Sequence, residues 1–319
     1  MAYALAAGNT CVLKGAELSP RCFHAIVSIF REAGLPDGCL NLVFRRPQDA
    51  AQVMEKLISH PTVKKVNFTG STTTGAIIAT MGGKYLKPTI TELGGKASAI
   101  VLADADIKKA AMASTMGAFL HAGQVCMATE RVIVHSSIVD AFTVAFKELT
   151  NQMFDSKGPS PILVTAVGAN KTKALVKAAL AKGAQVVLGD LKESQDADKS
   201  STGMRPIILT NVNKDSGLYQ NESFGPSVAI YTFETEDEAL AIANDIEYGL
   251  SGAVFMKDLA AGLRIARGYE TGVVHINVVT IHDESNLPRG GTKNSGWGRF
   301  SGMAGVEEYL RSKVITFDE

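Results

Sequence analysis

Short apolar runs alternate with longer amphipathic stretches along this chain, the pattern of strands interleaved with helices. Thr10–Lys14 predicts a buried strand, and the turn Gly15–Pro20 ends in a Ser19-Pro20 pair that starts a helix to about Ala33. Strands over Asn41–Phe44, Val63–Phe68 and Pro88–Glu92 follow. Helices over Pro47–Ser59, and from Ser71 to about Met81, separate them. This alternation predicts an α/β chain whose first part is a parallel sheet covered on both faces, a partial dinucleotide fold. Past Gly94 the pattern continues with a strand over Ser98–Leu102 and a helix from Asp104 to about Leu120. A strand follows over Arg131–His135, then a helix whose Val139, Phe142, Phe146 and Leu149 face the core. Asn170 is the expected N-cap of a helix to Ala181, and Ala184–Leu188 a strand. Gly158–Pro161 and the polar run Lys192–Thr202 read as loops. Glu236–Ala243 reads as a helix and Val273–Asn277 as a strand.

Composition narrows the class. The 319 residues are 46% hydrophobic and 20% charged, enough for a sizeable core and for two domains or one large and one partial. The 32 basic residues balance the 32 acidic ones, so neither nucleic acid nor an acidic membrane is an expected partner. No apolar run approaches the roughly 20 residues of a membrane span. Met1–Ala7 is apolar, but it is short and no basic residue precedes it. It reads as the tail of a helix rather than a signal peptide. Cys11, Cys22, Cys39 and Cys126 show no metal-ligand spacing, so no metal site is expected, and reduced thiols fit a cytoplasmic location.

The candidate chemistry lies between Thr91-Glu92-Leu93-Gly94-Gly95-Lys96 and Gly123-Gln124-Val125-Cys126. A carboxylate can serve as a general base, and a thiol is a strong nucleophile as its thiolate. Singly, each has a plain structural explanation: a surface Glu, a small buried Cys, a Gly-Gly turn. Together, Glu-Leu-Gly-Gly-Lys followed by Gly-Gln-x-Cys resembles the paired signatures of the aldehyde dehydrogenase superfamily. The resemblance implies an incomplete Rossmann-like cofactor domain (residues 1–93) and an α/β catalytic domain of that family's type (94–298). A C-terminal return segment with an interface strand (299–319) would complete the chain.

The resemblance makes Cys126 the nucleophile and Glu92 the general base. It extends to Ala-Gly-Asn-Thr-x-Val-Leu-Lys-x-x-Glu-x-x-Pro, where Lys14 and Glu17 would meet the adenosine ribose. The GxGxxG fingerprint is lacking. Glu17 would favour NAD over NADP by repelling a 2′-phosphate. Phe68-Thr69-Gly70-Ser71 is similar to the turn under the pyrophosphate, where amides at a helix start suit an anion, and Leu93 is placed with the cofactor residues. In Asn221-Glu222-Ser223-Phe224-Gly225-Pro226, Glu222 would hold the nicotinamide ribose and Phe224 would pack near the ring. Asn244 and Tyr248–Ser251 would have structural roles.

Two departures matter. The family usually shows Pro-Phe-Gly-Gly-x-Lys-x-Ser-Gly, and here Pro288-Arg289-Gly290-Gly291-Thr292-Lys293-Asn294-Ser295-Gly296 puts Arg289 in place of the aromatic. The first third of the family pattern, with its oxyanion-binding Asn and first cofactor-domain strand, is expected to be absent. His282-Asp283-Glu284 and Gly296-Trp297-Gly298-Arg299-Phe300 are similar to the salicylaldehyde and vanillin dehydrogenase branch, which implies an aromatic aldehyde. The implied activity is NAD(P)-dependent oxidation of a small-molecule aldehyde, in a homo-oligomer joined through Ser312–Phe317. A cofactor-independent esterase or thioesterase and a non-catalytic interaction protein remain open as alternatives.

Overall fold

A computed structural model describes residues 1–154, 158, 160–191 and 201–318. Most of the predicted loop Lys192–Thr202, and Pro159 in the loop before it, lie outside the described residues. The chain forms two compact units: residues 1–92, 283–289 and 298–319, and residues 93–282 and 290–297.

The first unit runs α1 (Ala2–Ala6), β1 (Cys11–Lys14), α2 (Pro20–Glu32), β2 (Leu40–Val43), α3 (Ala50–Ser59), β3 (Val66–Thr69), α4 (Thr72–Lys84) and β4 (Thr89–Glu92). The predicted helix over Pro47–Ser59 is a 3-10 turn over Pro47–Asp49 followed by α3. Proline fixes the first residue of that turn. The parallel pairing expected here is formed, in two pairs. β1 pairs with β2 and β3 with β4, both in parallel, and no ladder among the described residues of the unit joins the two pairs. A continuous sheet needs such a ladder, because hydrogen bonding is what makes neighbouring strands one surface. The β3–β4 pair packs through Ile58 of α3, Val66 and Ile78 of α4, with Met54, Phe68, Met81 and Tyr85 around them. α2 buries no residue. Lys65 of this unit reaches the Glu308 carboxylate at 2.6 Å, and Asn67 donates to the Tyr309 hydroxyl, which fastens the C-terminal segment.

The second unit is built around one seven-stranded sheet. Between residues 93 and 282 its strands are β5 (Ala97–Val101), β6 (Thr129–His135), β7 (Gln185–Leu188), β8 (Ile207–Thr210), β9 (Ser227–Phe233), β10 (Tyr248–Gly249), β11 (Ser251–Phe255) and β12 (Val273–Ile276), and β10 pairs outside that sheet with Thr292–Lys293. Seven of them lie in the order β12-β11-β5-β6-β9-β8-β7. All pairs are parallel except β7 with β8. Alternate residues serve opposite faces. Ala99, Val101, Val132 and Val134 meet α5 (Ile107–Phe119) and α6 (Val139–Met153), where Phe119, Phe142, Phe146 and Leu149 are buried. Their neighbours Ile100, Ile133 and Val254 meet Ala239, Ala243, Ala261 and Ile265 of the helices Glu236–Asn244 and Leu259–Gly268. Helices on both faces explain why β5 is buried at every residue.

One expectation needs correction. The helix α7 spans Ala166–Ala181 and is capped by Thr165, whose hydroxyl accepts from the Gly168 N–H at 3.1 Å. Asn170 lies inside it on the exposed side, because burying Ala169 draws the preceding turn into the helix. Residues 310–318 form no helix or strand, and Val314, Ile315 and Phe317 are exposed. The strand expected there is one that a second subunit would pair with.

The Phe142–Phe146–Phe119 stack gives a stability prediction: Phe146 is fully buried, with ring centroids 5.6 Å from Phe142 and 6.2 Å from Phe119. Phe146→Ala is expected to destabilise the fold by about 3–5 kcal/mol in urea denaturation followed by circular dichroism.

Candidate active site

Three segments far apart in sequence enter three adjacent strands. Leu93–Lys96 leads into β5, Cys126 precedes β6, and Glu222–Gly225 leads into β9. Neighbouring strands stand roughly 4.8 Å apart, and parallel strands start at the same edge. The three segments therefore gather at the amino-terminal edge of the sheet. Ligands of open α/β sheets usually lie outside the opposite, carboxyl edge.

The glycines show how closely they gather. A Cβ on Gly95 would overlap the Cys126 carbonyl oxygen, and one on Gly94 would lie 2.7 Å from Glu222 Oε2. The Gly95 N–H donates to Glu222 Oε1 at 2.9 Å. Gly123, at φ +69°, leaves no room for a side chain against the Gly225 carbonyl. His121 and Ala122, at φ 52° and 55°, make the approach to Cys126 a left-handed run that L side chains rarely adopt. Gln124 ties this loop down: its amide donates to the His121 carbonyl at 3.0 Å, and its carbonyl accepts from the Val164 N–H at 2.8 Å. Cys126 is half-buried, and none of the four cysteines is in a disulfide. Leu93 is buried, its N–H held by the Ser295 carbonyl at 2.9 Å, while Ser295 Oγ donates to the Gly94 carbonyl at 2.7 Å.

A pair that sequence reasoning missed holds this edge together. Lys96 Nζ lies 2.5 Å from Glu130 Oε2, and both side chains are almost completely buried. Glu130 also accepts the Ser223 N–H at 2.9 Å and the Phe224 N–H at 3.1 Å. Phe224 is held at φ 52°, and its side chain is 40% exposed, open for contact rather than committed to the core. Burial pushes the Lys96 ammonium below its ordinary range, and Glu130 opposes that shift. Signal for this pair was present only in part. Lys96 belongs to the Glu-Leu-Gly-Gly-Lys motif, whereas Glu130 follows Cys126 by four residues and belongs to none.

Burial, and then the nearby Glu130 charge, push the Glu222 carboxyl up to about 7, against the Gly95 N–H, Lys171 and Lys96. Glu222 is thus an acceptor whose charge changes near neutral pH.

The remaining predicted residues lie in the first unit. The Glu17 carboxylate sits 3.3 Å from Lys14 Nζ and 3.2 Å from Arg45 Nη1. A hydrogen bond from its own backbone amide, then Lys14 and Arg45, hold it below the ordinary carboxylate range. Ser71 caps α4, its hydroxyl accepting from the Thr74 N–H at 3.3 Å. A Cβ on Gly70 would lie 2.6 Å from the Phe68 ring. Glu92, the last residue of β4, is buried, with Oε1 3.0 Å from Arg289 Nη1. Burial raises its carboxyl, Arg289 lowers it and Asp283 adds to the rise.

Within the first unit, Glu17 is an acceptor of the kind that suits a ribose hydroxyl, and the start of α4 presents amides of the kind that suit a pyrophosphate. Among the described residues no group of three or more His, Cys, Asp or Glu is placed to hold a metal ion, and no helix is long and apolar enough to cross a membrane.

Two predictions follow from the electrostatics. Glu130→Ala strands the Lys96 charge and should cost about 3–5 kcal/mol in chemical denaturation. Glu222 has a folded pKa above its ordinary 4.5, so the unfolded chain ionises it more readily between that value and about 7. Its contribution therefore disfavours the folded state increasingly as pH rises through that window. Glu222→Gln removes the penalty, so its gain in Tm over the parent chain should be larger at pH 8 than at pH 5 in calorimetric scans.

Comparison with known proteins gives this edge a context. The pattern of the aldehyde dehydrogenase family matches residues 1–315. A vanillin dehydrogenase of Pseudomonas fluorescens is 42% identical over 321 residues, covering 99% of this chain and 65% of the relative. A salicylaldehyde dehydrogenase of Pseudomonas sp. (strain C18) is 41% identical, covering 100% of this chain and 66% of the relative. The crystal structure of a salicylaldehyde dehydrogenase from Pseudomonas putida G7, complexed with salicylaldehyde, superposes with a TM-score of 0.90 at 38% identity. That match covers 98% of this chain and 65% of the other. The chain thus spans just under two thirds of the length of these relatives, over almost all of its own length, and it belongs to the aldehyde dehydrogenase family.

Proposed function

We propose that the protein oxidises an aldehyde to a carboxylic acid with a nicotinamide cofactor, and that the aldehyde is aromatic. The gathering of Cys126, Gly94-Gly95 and Glu222 at one edge of the sheet is the observation that carries this reading. The aromatic substrate class is supported by the names of the vanillin and salicylaldehyde dehydrogenase relatives.

The Cys126 thiolate adds to the aldehyde carbon, forming a C–S bond and a thiohemiacetal oxyanion. The Cys126 backbone N–H is the oxyanion donor this chain supplies. A nicotinamide cofactor, when bound, supplies the acceptor for the hydride that leaves that carbon. Glu92 takes a proton from the water that attacks the resulting thioester, and the C–S bond breaks to release the acid and the Cys126 thiolate. When the cofactor is bound, Glu222 and Glu17 would accept its ribose hydroxyls, Leu93, Gly70 and Ser71 would line its side of the site, and Phe224 would lie near its ring. Lys14 and Arg45 partly offset the Glu17 charge. We therefore infer a preference for NAD without exclusion of NADP. The exposed Val314, Ile315 and Phe317 supply an apolar segment for pairing with a second copy of the chain.

The test is NADH formation by the purified chain with salicylaldehyde and with vanillin. Parent activity that falls by at least about a thousandfold in Cys126→Ala is expected. A folded chain that binds NAD⁺ yet forms no NADH with any aldehyde would sink the oxidoreductase reading, and ester hydrolysis lost in Cys126→Ala would then favour a hydrolase. Glu17→Gln should narrow the difference in Kd between NAD⁺ and NADP⁺ in calorimetric titration, chiefly by tightening NADP⁺.

A further inference from the structure

Arg289 stands where the family pattern has an aromatic ring, and the structure gives the replacement a specific partner. Its Nη1 lies 3.0 Å from Glu92 Oε1 and its Nε 3.3 Å from Asp283 Oδ2. The Glu92 contact is a hydrogen bond and the Asp283 contact a charge pair without hydrogen-bond geometry, so the guanidinium stands between two carboxylates. The main chain that carries this side chain is held as well, because Arg289 exchanges backbone N–H···O hydrogen bonds with Phe300 at 2.8 and 2.7 Å. The Glu92 side chain is 7% exposed and that of Arg289 30%, so the contact is partly shielded from solvent. One N–H of a planar, rigid guanidinium points at one carboxylate oxygen, so it orients the carboxylate as well as attracting it. An aromatic ring at this position would supply neither charge nor donor.

We propose that Arg289 is the positioning residue for Glu92: its guanidinium, with Asp283 on its other side, holds the carboxylate in one orientation at the end of β4. The inference rests on the reading of Glu92 as the water-activating base. Within the unit, the charged groups that act on Glu92 are Arg289, which favours the ionised form, and Asp283, which opposes it. The neighbouring strand β3 presents the non-titrating Thr69 opposite Glu92. The clamp thus lowers the pH at which a buried carboxylate becomes available as a base. It also restricts the swing of the side chain.

The test compares the parent chain with Arg289→Phe, which restores the family's residue, and Arg289→Lys, which keeps the charge without the planar guanidinium. The Glu92 carboxyl is followed by NMR with carboxyl-labelled glutamate and assigned by its loss in Glu92→Gln. In Arg289→Phe the carboxyl should titrate at higher pH, by roughly one to three units, with Arg289→Lys between the two. The same variant should shift the alkaline-going onset of ester hydrolysis upward in pH, while Arg289→Lys restores most of it. Identical Glu92 titration in the parent chain and a folded Arg289→Phe would overturn the proposal. Ester hydrolysis that is unaffected by Glu92→Gln would instead overturn the general-base reading, and the carboxyl titration would still decide the clamp.

Discussion

The buried contact between Lys96 and Glu130 is the constraint on which the candidate site depends. A carboxylate taken out of water needs its lone pairs filled, and Glu130 fills them with one ammonium and the Ser223 and Phe224 amides. The contact joins three places: Lys96 at the entrance to β5, Glu130 within β6, and the turn before β9. One side chain therefore connects the start of three adjacent strands. It also supports backbone that would be costly alone, since Phe224 sits at φ 52° with its amide bonded to that carboxylate.

Sheet order converts distant motifs into neighbours. β5, β6 and β9 are adjacent although more than a hundred residues separate β5 from β9 in the chain. Once the strands are adjacent and parallel, the residues just ahead of them must share an edge. The glycines then set how near the backbones come. Gly95 lies against the Cys126 carbonyl, Gly94 against the Glu222 carboxylate and Gly123 against the Gly225 carbonyl. Their lack of a Cβ has a steric cause at each place, and only one of the three has a positive φ.

Much of this was legible in the sequence, but unevenly. The strands β5 and β6 announced themselves as apolar runs, and the Phe142–Phe146–Leu149 spacing correctly named a core face. Cys126 and Glu222 were singled out by motif, yet nothing local says that they share an edge, because strand order depends on pairings between distant segments. Glu130 was invisible for a related reason: a lone Glu reads as a surface residue, and only the partners it meets make burial tolerable. The same limit hid the Arg289–Glu92 contact, where the sequence displayed a substitution without its partner. In the first unit, alternation identified strands and helices but not their grouping, which is two separate pairs.

The two glutamates of the second unit show how position divides their tasks. Glu130 and Glu222 are both buried and close enough for Glu130 to raise the Glu222 carboxyl. Glu130 has an ammonium and two amides; Glu222 has the Gly95 amide and longer-range help from Lys171 and Lys96. The shortage of donors falls on Glu222. A carboxylate left short of donors in a low-dielectric place is poised to gain from hydroxyls brought by a ligand, whereas one already saturated is not. Glu130 is thereby suited to hold the scaffold and Glu222 to receive a partner, even though the two side chains carry the same functional group.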